Sequence, residues 1–161
     1  MTLVPAAIGA GRVVLVPIFP DTAQAILAGD LSLVRAGDGW PHEDTYDGLR
    51  MSLEGGHAPG WFVTLDGAVI GDCGIHGEPD RDGVVEIGFG LAAPYRGRGH
   101  GAEVVRALTR WLLAQSEVSC VIARVAPGNI ASRRTLEGAG FIGRGERDAL
   151  CVYVREAAPR E

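Results

Sequence analysis

The chain contains no lysine; all 15 of its basic residues are arginine. Without lysine no side chain can form a Schiff base, and the lysine-bearing phosphate loop of nucleotide hydrolases cannot be built. Cysteine is scarce and odd in number. Cys73, Cys120 and Cys151 lie far apart, each in an apolar strand-like run. They read as buried thiols of a reducing cytoplasm, and neither a disulfide framework nor a metal site is expected. Long hydrophobic runs are also missing. The longest, residues 13–19, is broken by Pro17 and falls far short of the ~20 residues a membrane helix needs. No basic segment precedes an apolar core near Met1, so no signal peptide is expected. Nor is there an excess of positive charge. Twenty acidic residues against 15 basic ones give a net charge of −5, the wrong sign for nucleic acid as the main partner.

What is present suits one ordered domain spanning residues 1–161, with a flexible tail at 157–161. Its 161 residues are 47% hydrophobic and 22% charged, near the globular average. A first strand is expected over residues 12–18. Asp21 and Gln24 then have capping-box spacing for a helix reaching about residue 28. Residues 29–60 are weakly patterned, with a short helix expected over 45–54. Strands over 61–65 and 68–76 flank Asp66-Gly67, a strong hairpin signal. The apolar run 84–91 follows the loop 77–83 and completes three sequential antiparallel strands. An amphipathic helix fits 101–115, with Val104, Val105, Leu108 and Leu112 on one stripe. A buried strand fits 118–125, and a helix fits 129–139 with Gly140 as its left-handed cap. Strands over 141–145 and 150–155 close the chain. The order β-α-α-β-β-β-α-β-α-β-β predicts an α/β (α+β) fold, a mixed sheet of six to seven strands flanked by about four helices.

The most informative stretch joins the strand 84–91 to the helix that follows. It reads Arg96-Gly97-Arg98-Gly99-His100-Gly101-Ala102. Amides at a helix start lack intrahelical partners, and the helix dipole places partial positive charge there. Three glycines clear the approach of an anion to those amides, and Arg96 and Arg98 add fixed charge. A diphosphate is the ligand this corner suits. The spacing also matches the G-x-G-x-x-A dinucleotide fingerprint. However, Ala92 to Tyr95 intervene between strand and loop, and too little chain follows for the second half of a doubly wound sheet.

These residues resemble the GNAT N-acetyltransferase superfamily, whose [QR]-x-x-G-x-[GA] loop binds the pyrophosphate of acetyl-CoA. Arg96, Gly99 and Gly101 fill its three defined positions. Downstream, Asn129-Ile-Ala-Ser132 and the later Gly140-Phe141 resemble the family's N-x-x-S/A helix and following strand. The order of elements agrees from about residue 12 to 155. The spacing of Asn129, Ser132 and Leu136 is most similar to the branch containing ribosomal-protein N-terminal acetyltransferases. The resemblance implies transfer of an acetyl group from acetyl-CoA, as cosubstrate and without a metal, to a primary amine. The acceptor would be a small molecule or a peptide N-terminus, and the protein a monomer or homodimer.

The resemblance also implies site residues. It places a general base at Glu86, in a run where an unpaired carboxylate is costly to bury, and burial should raise its pKa. A partner for Glu86 is available in Arg124, so an ion pair is the alternative. A bulge at Gly88 and Gly90 is implied, freeing the main chain at Phe89, Gly90 and Leu91 to pair with the pantetheine arm. An N–H near Leu91 would then stabilise the thioester oxyanion. Asn129 either bonds the pantetheine or caps its helix. Many relatives carry a tyrosine acid where Leu136 stands, leaving Ser132 and Tyr153 as candidates. His100 is expected to be a spacer turned outward. His76 reads as an ordinary strand-end histidine, with a place in the acceptor cleft as the alternative. Arg133 and Arg134 either reach the phosphates or are solvated. Trp40, Glu43, Asp44, Tyr46 and Asp47 would suit a cationic amine or form a solvated acidic loop. A catalytically idle acyl-CoA sensor on the same fold is the competing reading.

Overall fold

Asp66 and Gly67 both adopt positive φ, 50° and 82°, the backbone of a two-residue primed turn. They join β3 (Gly60–Leu65) to β4 (Ala68–Ile75). In the computed structural model, which describes residues 3–54 and 58–159, β4 pairs next with β5 (Val84–Leu91), the run marked out by its apolar sequence. The loop between them closes on Asp80, whose Oδ1 accepts the N–H groups of Asp82 and Val84 at 2.9 Å each.

Upstream of this meander, β1 (Ile8–Ala10) and β2 (Val13–Pro17) form a hairpin. A strand as short as β1 carries no readable periodicity, so the sheet has eight strands and not six to seven. The helices α1 (Pro20–Leu27) and α2 (Glu43–Glu54) follow. The expected capping box is not formed. Phe19 occupies the cap position of α1 without a side-chain bond, and Pro20 starts the helix, where its missing N–H costs nothing. After β5 come α3 (His100–Leu113), β6 (Cys120–Val125), α4 (Ile130–Gly138), β7 (Ile142–Arg147) and β8 (Leu150–Glu156). Gly140 takes φ 87° just past α4, as a left-handed cap requires. The tail starts pinned, since Ala157 N–H donates to Ser119 O at 2.9 Å; residues 160–161 lie outside the described residues.

The strand order is β1-β2-β3-β4-β5-β6-β8-β7. Every pairing is antiparallel except β5 with β6. Alternate strand residues feed two cores. Trp61 and Val63 join the α3 stripe of Val104, Val105, Leu108 and Leu112 in the larger one. Phe62 joins Ile26, Trp40 and Leu49 on the opposite face, under α1 and α2. Each fully buried side chain of this size is worth ~1.5–3 kcal/mol. The three thiols are unpaired. Among the described residues no helix is long and apolar enough to cross a membrane, and no acid, His or Cys group could hold a metal ion.

Candidate active site

β5 is paired unequally on its two edges. Against β4 the register is unbroken, from Gly71 opposite Leu91 to Ile75 opposite Ile87. Against β6, pairing covers only residues 84–86, and the two strands then part. His76 N–H donates to Glu86 O and Ala92 N–H to Ile70 O, both at 2.8 Å. Alternation along an antiparallel pair therefore turns the N–H and C=O of Phe89 and Leu91 to the other edge, toward the opening. The bulge expected at Gly88 and Gly90 is absent. Divergence of β6, and not a break in register, uncovers this main chain.

A 3-10 turn at Ala93–Tyr95 leads into the arginine-glycine corner. Arg96 Nε donates to Leu91 O at 2.9 Å, folding the corner back on the strand. Gly99, at φ 86°, caps α3, and the first intrahelical acceptor goes to Glu103 N–H. The amides of His100, Gly101 and Ala102 are thus left for an anion. Gly97 and the side chains of Arg96 and Arg98 are exposed around them. Arg12, in the β1–β2 turn, braces the corner. Its Nη2 donates to Arg98 O at 2.7 Å and its Nε to Glu103 Oε1 at 2.6 Å. His100 corrects an expectation, for it is 4% exposed and not turned outward. Burial, then the positive charge of Arg12, and also Arg98, hold its imidazole below the ordinary range against the pull of Glu103. A neutral ring packs beneath the loop, its Nδ1 without a partner among the described residues.

Asn129 caps α4, its Oδ1 accepting Ser132 N–H at 3.1 Å. Arg133 turns inward, donating to Tyr153 OH at 3.1 Å and to Pro127 O at 2.9 Å, so it does not reach toward phosphates. The Tyr153 hydroxyl donates to Glu137 at 2.9 Å and is buried, which removes it as a proton donor. Leu136 is wholly buried in the core. The Ser132 hydroxyl makes no hydrogen bond among the described residues.

The opposite face of β4 and β5 floors a cavity of about 670 Å³ roofed by α2. Its floor exists because glycine occupies alternate positions: Gly74 lies opposite Gly88, and Gly90 opposite Asp72. At one end Asp72 is half-buried beneath α2, its Oδ2 accepting from Trp40 Nε1 at 3.0 Å and Thr45 Oγ1 at 2.8 Å. Beside it His42 Nε2 is buried without a partner among the described residues. Asp44, Asp47 and Glu54 of α2 also line the cavity, and among the described residues no arginine does. Arg50 meets Asp47 at 3.2 Å from outside it.

At the other end stands His76, which lines the cavity; Glu86 does not. Glu86 receives Arg124 Nη2 on Oε1 at 2.6 Å and Arg124 Nε on Oε2 at 3.2 Å. His76 Nδ1 lies 3.3 Å from the same Oε2. Burial pushes this carboxyl up, but the Arg124 hydrogen bond, the charges of His76 and Arg124, and the His76 hydrogen bond together hold it below the ordinary carboxylate range. The raised pKa expected from sequence is overturned, because a guanidinium two positions along β6 reaches both oxygens. The ion pair weighed as the alternative is the one observed.

Residues 12–142 match the acetyltransferase (GNAT) domain. The chain belongs to the GNAT acetyltransferase family. It is 30% identical over 112 residues to the uncharacterized N-acetyltransferase YjdG of Bacillus subtilis (strain 168), covering 64% of this chain and 67% of that one. Its fold is similar to that of RimL, a ribosomal L7/L12 α-N-protein acetyltransferase solved with coenzyme A. That match has a TM-score of 0.70 at 15% identity over 94% of this chain and 98% of the other. The aminoglycoside acetyltransferase AAC(6')-Ib, also solved with coenzyme A, matches with a TM-score of 0.65 at 22% identity, over 89% and 94%.

In this acetyltransferase, Asp72, His42 and the glycine floor are the features that motif reading passed over. A signal existed in the period-two patterns Asp72-x-Gly74-x-His76 and Glu86-x-Gly88-x-Gly90, which place small residues on one sheet face. Asp72 also shows what an acidic cavity costs. Burial raises its pKa, against hydrogen bonds from Trp40 and Thr45 and the charge of His42, while Asp44 adds to the rise. Above the ordinary range near pH ~4 the unfolded chain has released this proton while the folded chain keeps it. Stability therefore falls as pH climbs through that window. Asp72→Asn removes the effect and should be more stable than the parent at neutral pH, the gap closing below pH ~4. Urea unfolding of both proteins across pH measures this, and a gap that stays constant refutes it.

Proposed function

We propose that this acetyltransferase moves an acetyl group from acetyl-CoA to a primary amine of a cationic acceptor. One observation carries the reading. The single strand β5 offers main-chain donors and acceptors along an open edge while its glycine face floors an acidic cavity. One strand can thus serve an acyl carrier on its edge and an amine on its face.

The residues present fit acetyl-CoA. Arg96 and Arg98, with the amides of residues 97–102, suit its diphosphate. The N–H and C=O of Phe89 and the N–H of Leu91 suit the pantetheine arm, whereas Gly90 turns its N–H and C=O to β4; an N–H on the open edge suits the developing oxyanion. When bound, acetyl-CoA supplies the activated acyl group as a thioester. Asn129 keeps its helix cap, which points the first turn of α4, and the Ser132 hydroxyl there is the remaining candidate to meet the leaving sulfur. The His76–Glu86 pair supplies the proton acceptor. Asp44, Asp47, Glu54 and Asp72 favour an acceptor that carries positive charge. An aminoglycoside acetyltransferase and an L7/L12 α-N-protein acetyltransferase among the similar folds are in keeping with a small-molecule or a peptide amine.

Calorimetric titration with acetyl-CoA, followed by thiol detection over a panel of a polyamine, an aminoglycoside and a peptide with a free N-terminus, tests the reading. Saturable binding with thiol release for at least one amine is expected. No heat at millimolar acetyl-CoA refutes the site. Binding without release for any amine leaves an idle acyl-CoA module instead.

A further inference from the structure

Resting on the transfer proposed above, we infer that His76, and not Glu86, takes the acceptor's proton, with Glu86 and Arg124 behind it as positioning residues. Three observations converge. His76 lines the cavity while Glu86 does not, and the side chains are 41% and 15% exposed. Both oxygens of Glu86 are already occupied by Arg124, and Oε2 also faces His76 Nδ1. Finally, the far edge of the imidazole lies over the glycine floor, since a Cβ built on Gly88 would stand 2.7 Å from His76 Nε2.

The geometry assigns the two ring nitrogens different work. With Nδ1 directed at the Glu86 carboxylate, that nitrogen carries the proton, and Nε2 keeps its lone pair for the cavity. At Gly88 no side chain stands against Nε2. An alkylammonium drawn in by the acids of α2 can give one proton to Nε2. The lone pair so released forms the new C–N bond as the C–S bond breaks, and the sulfur leaves with the bonding electrons. The second nitrogen proton, lost as the amide forms, ends on the sulfur, and the imidazolium returns its proton to solvent. Among the described residues, charged groups face the ring from four elements. Glu86 faces it from β5, Asp44, Asp47 and Glu54 lie across the cavity on α2, and Asp72 shares its side of β4. Arg124 on β6 opposes them from behind Glu86.

Rates measured against pH test the assignment, using whichever amine of the panel the unaltered chain acetylates fastest. His76→Ala should lower kcat/KM about 100-fold, remove the acidic limb of the profile and leave the KM for acetyl-CoA unchanged. Added imidazole should restore part of the rate. Glu86→Gln should lower kcat roughly tenfold and keep the limb, because the imidazole is still present. Gly88→Ala keeps both side chains but sets a methyl against Nε2, and should come within a few-fold of the His76→Ala loss. A limb lost in Glu86→Gln and kept in His76→Ala would overturn the inference while leaving the acetyltransferase reading intact. No thiol release from any amine by the unaltered chain would overturn both.

Discussion

Gly99→Val is expected to reduce acetyl-CoA affinity more than about 100-fold, the largest effect of any single change outside the core. Gly99 sits at φ 86° as the cap of α3, a conformation that costs an L-residue roughly 1–2 kcal/mol and a β-branched one more. Space is short as well, since a Cβ there would stand 3.2 Å from Arg12 Nη2, the group that braces Arg98 O. The chain can relieve the strain only by turning the peptide, and that turn takes the amides of residues 100–102 away from the anion. At about 1.4 kcal/mol per tenfold, losing one oriented amide set accounts for the drop. Gly101→Ala is the control. Its methyl would lie 3.6 Å from Thr135, an ordinary contact, so affinity should change less than about threefold. Calorimetry on both variants decides the matter, and equal affinities would show that the corner does not bind the carrier.

Trp61→Ala should destabilise the fold by roughly 3–5 kcal/mol, lowering Tm on the order of 10 °C. Trp61 has no exposed surface and stacks edge-on against Trp111 of α3 with ring centroids 5.3 Å apart. Its Nε1–H also holds Ala6 O at 2.8 Å. One ring therefore ties the meander, α3 and the N-terminal segment together, and few neighbours can collapse into the space it leaves. Trp61→Phe keeps most of the volume and gives up the bond to an exposed carbonyl, so about 1 kcal/mol is expected. Denaturant unfolding separates the two variants. A loss under about 1 kcal/mol for the alanine variant would mean the larger core is not continuous there.

The legible parts of the fold are those in which neighbours in sequence decide the outcome. The run 84–91 became β5 with the boundaries read from its composition, because an apolar run between a turn and a glycine-rich corner has no competing period. Asp66-Gly67 made its turn because both residues tolerate positive φ. Asn129 capped α4 through a side chain reaching three residues ahead. Local pattern failed where a distant group intervened. Asp21 is the local exception, losing its cap to the adjacent Phe19 and Pro20. Glu86 lost its raised pKa to Arg124, 38 residues away. His100 was drawn inward beneath a loop held by Arg12, which sits 86 residues from the Arg98 carbonyl it binds.

The order of residues alone determined the family, most of the sheet and the arginine-glycine corner before α3, since glycine spacing, helix amphipathicity and turn chemistry act within a few residues. Tertiary structure alone decided the cavity and which side chains line it. Gly74 and Gly88 come from different strands, the acids of α2 from a third element, and Arg124 from a fourth. Charge and volume at that place are set by which strands lie side by side, and chain separation carries no record of distance in space.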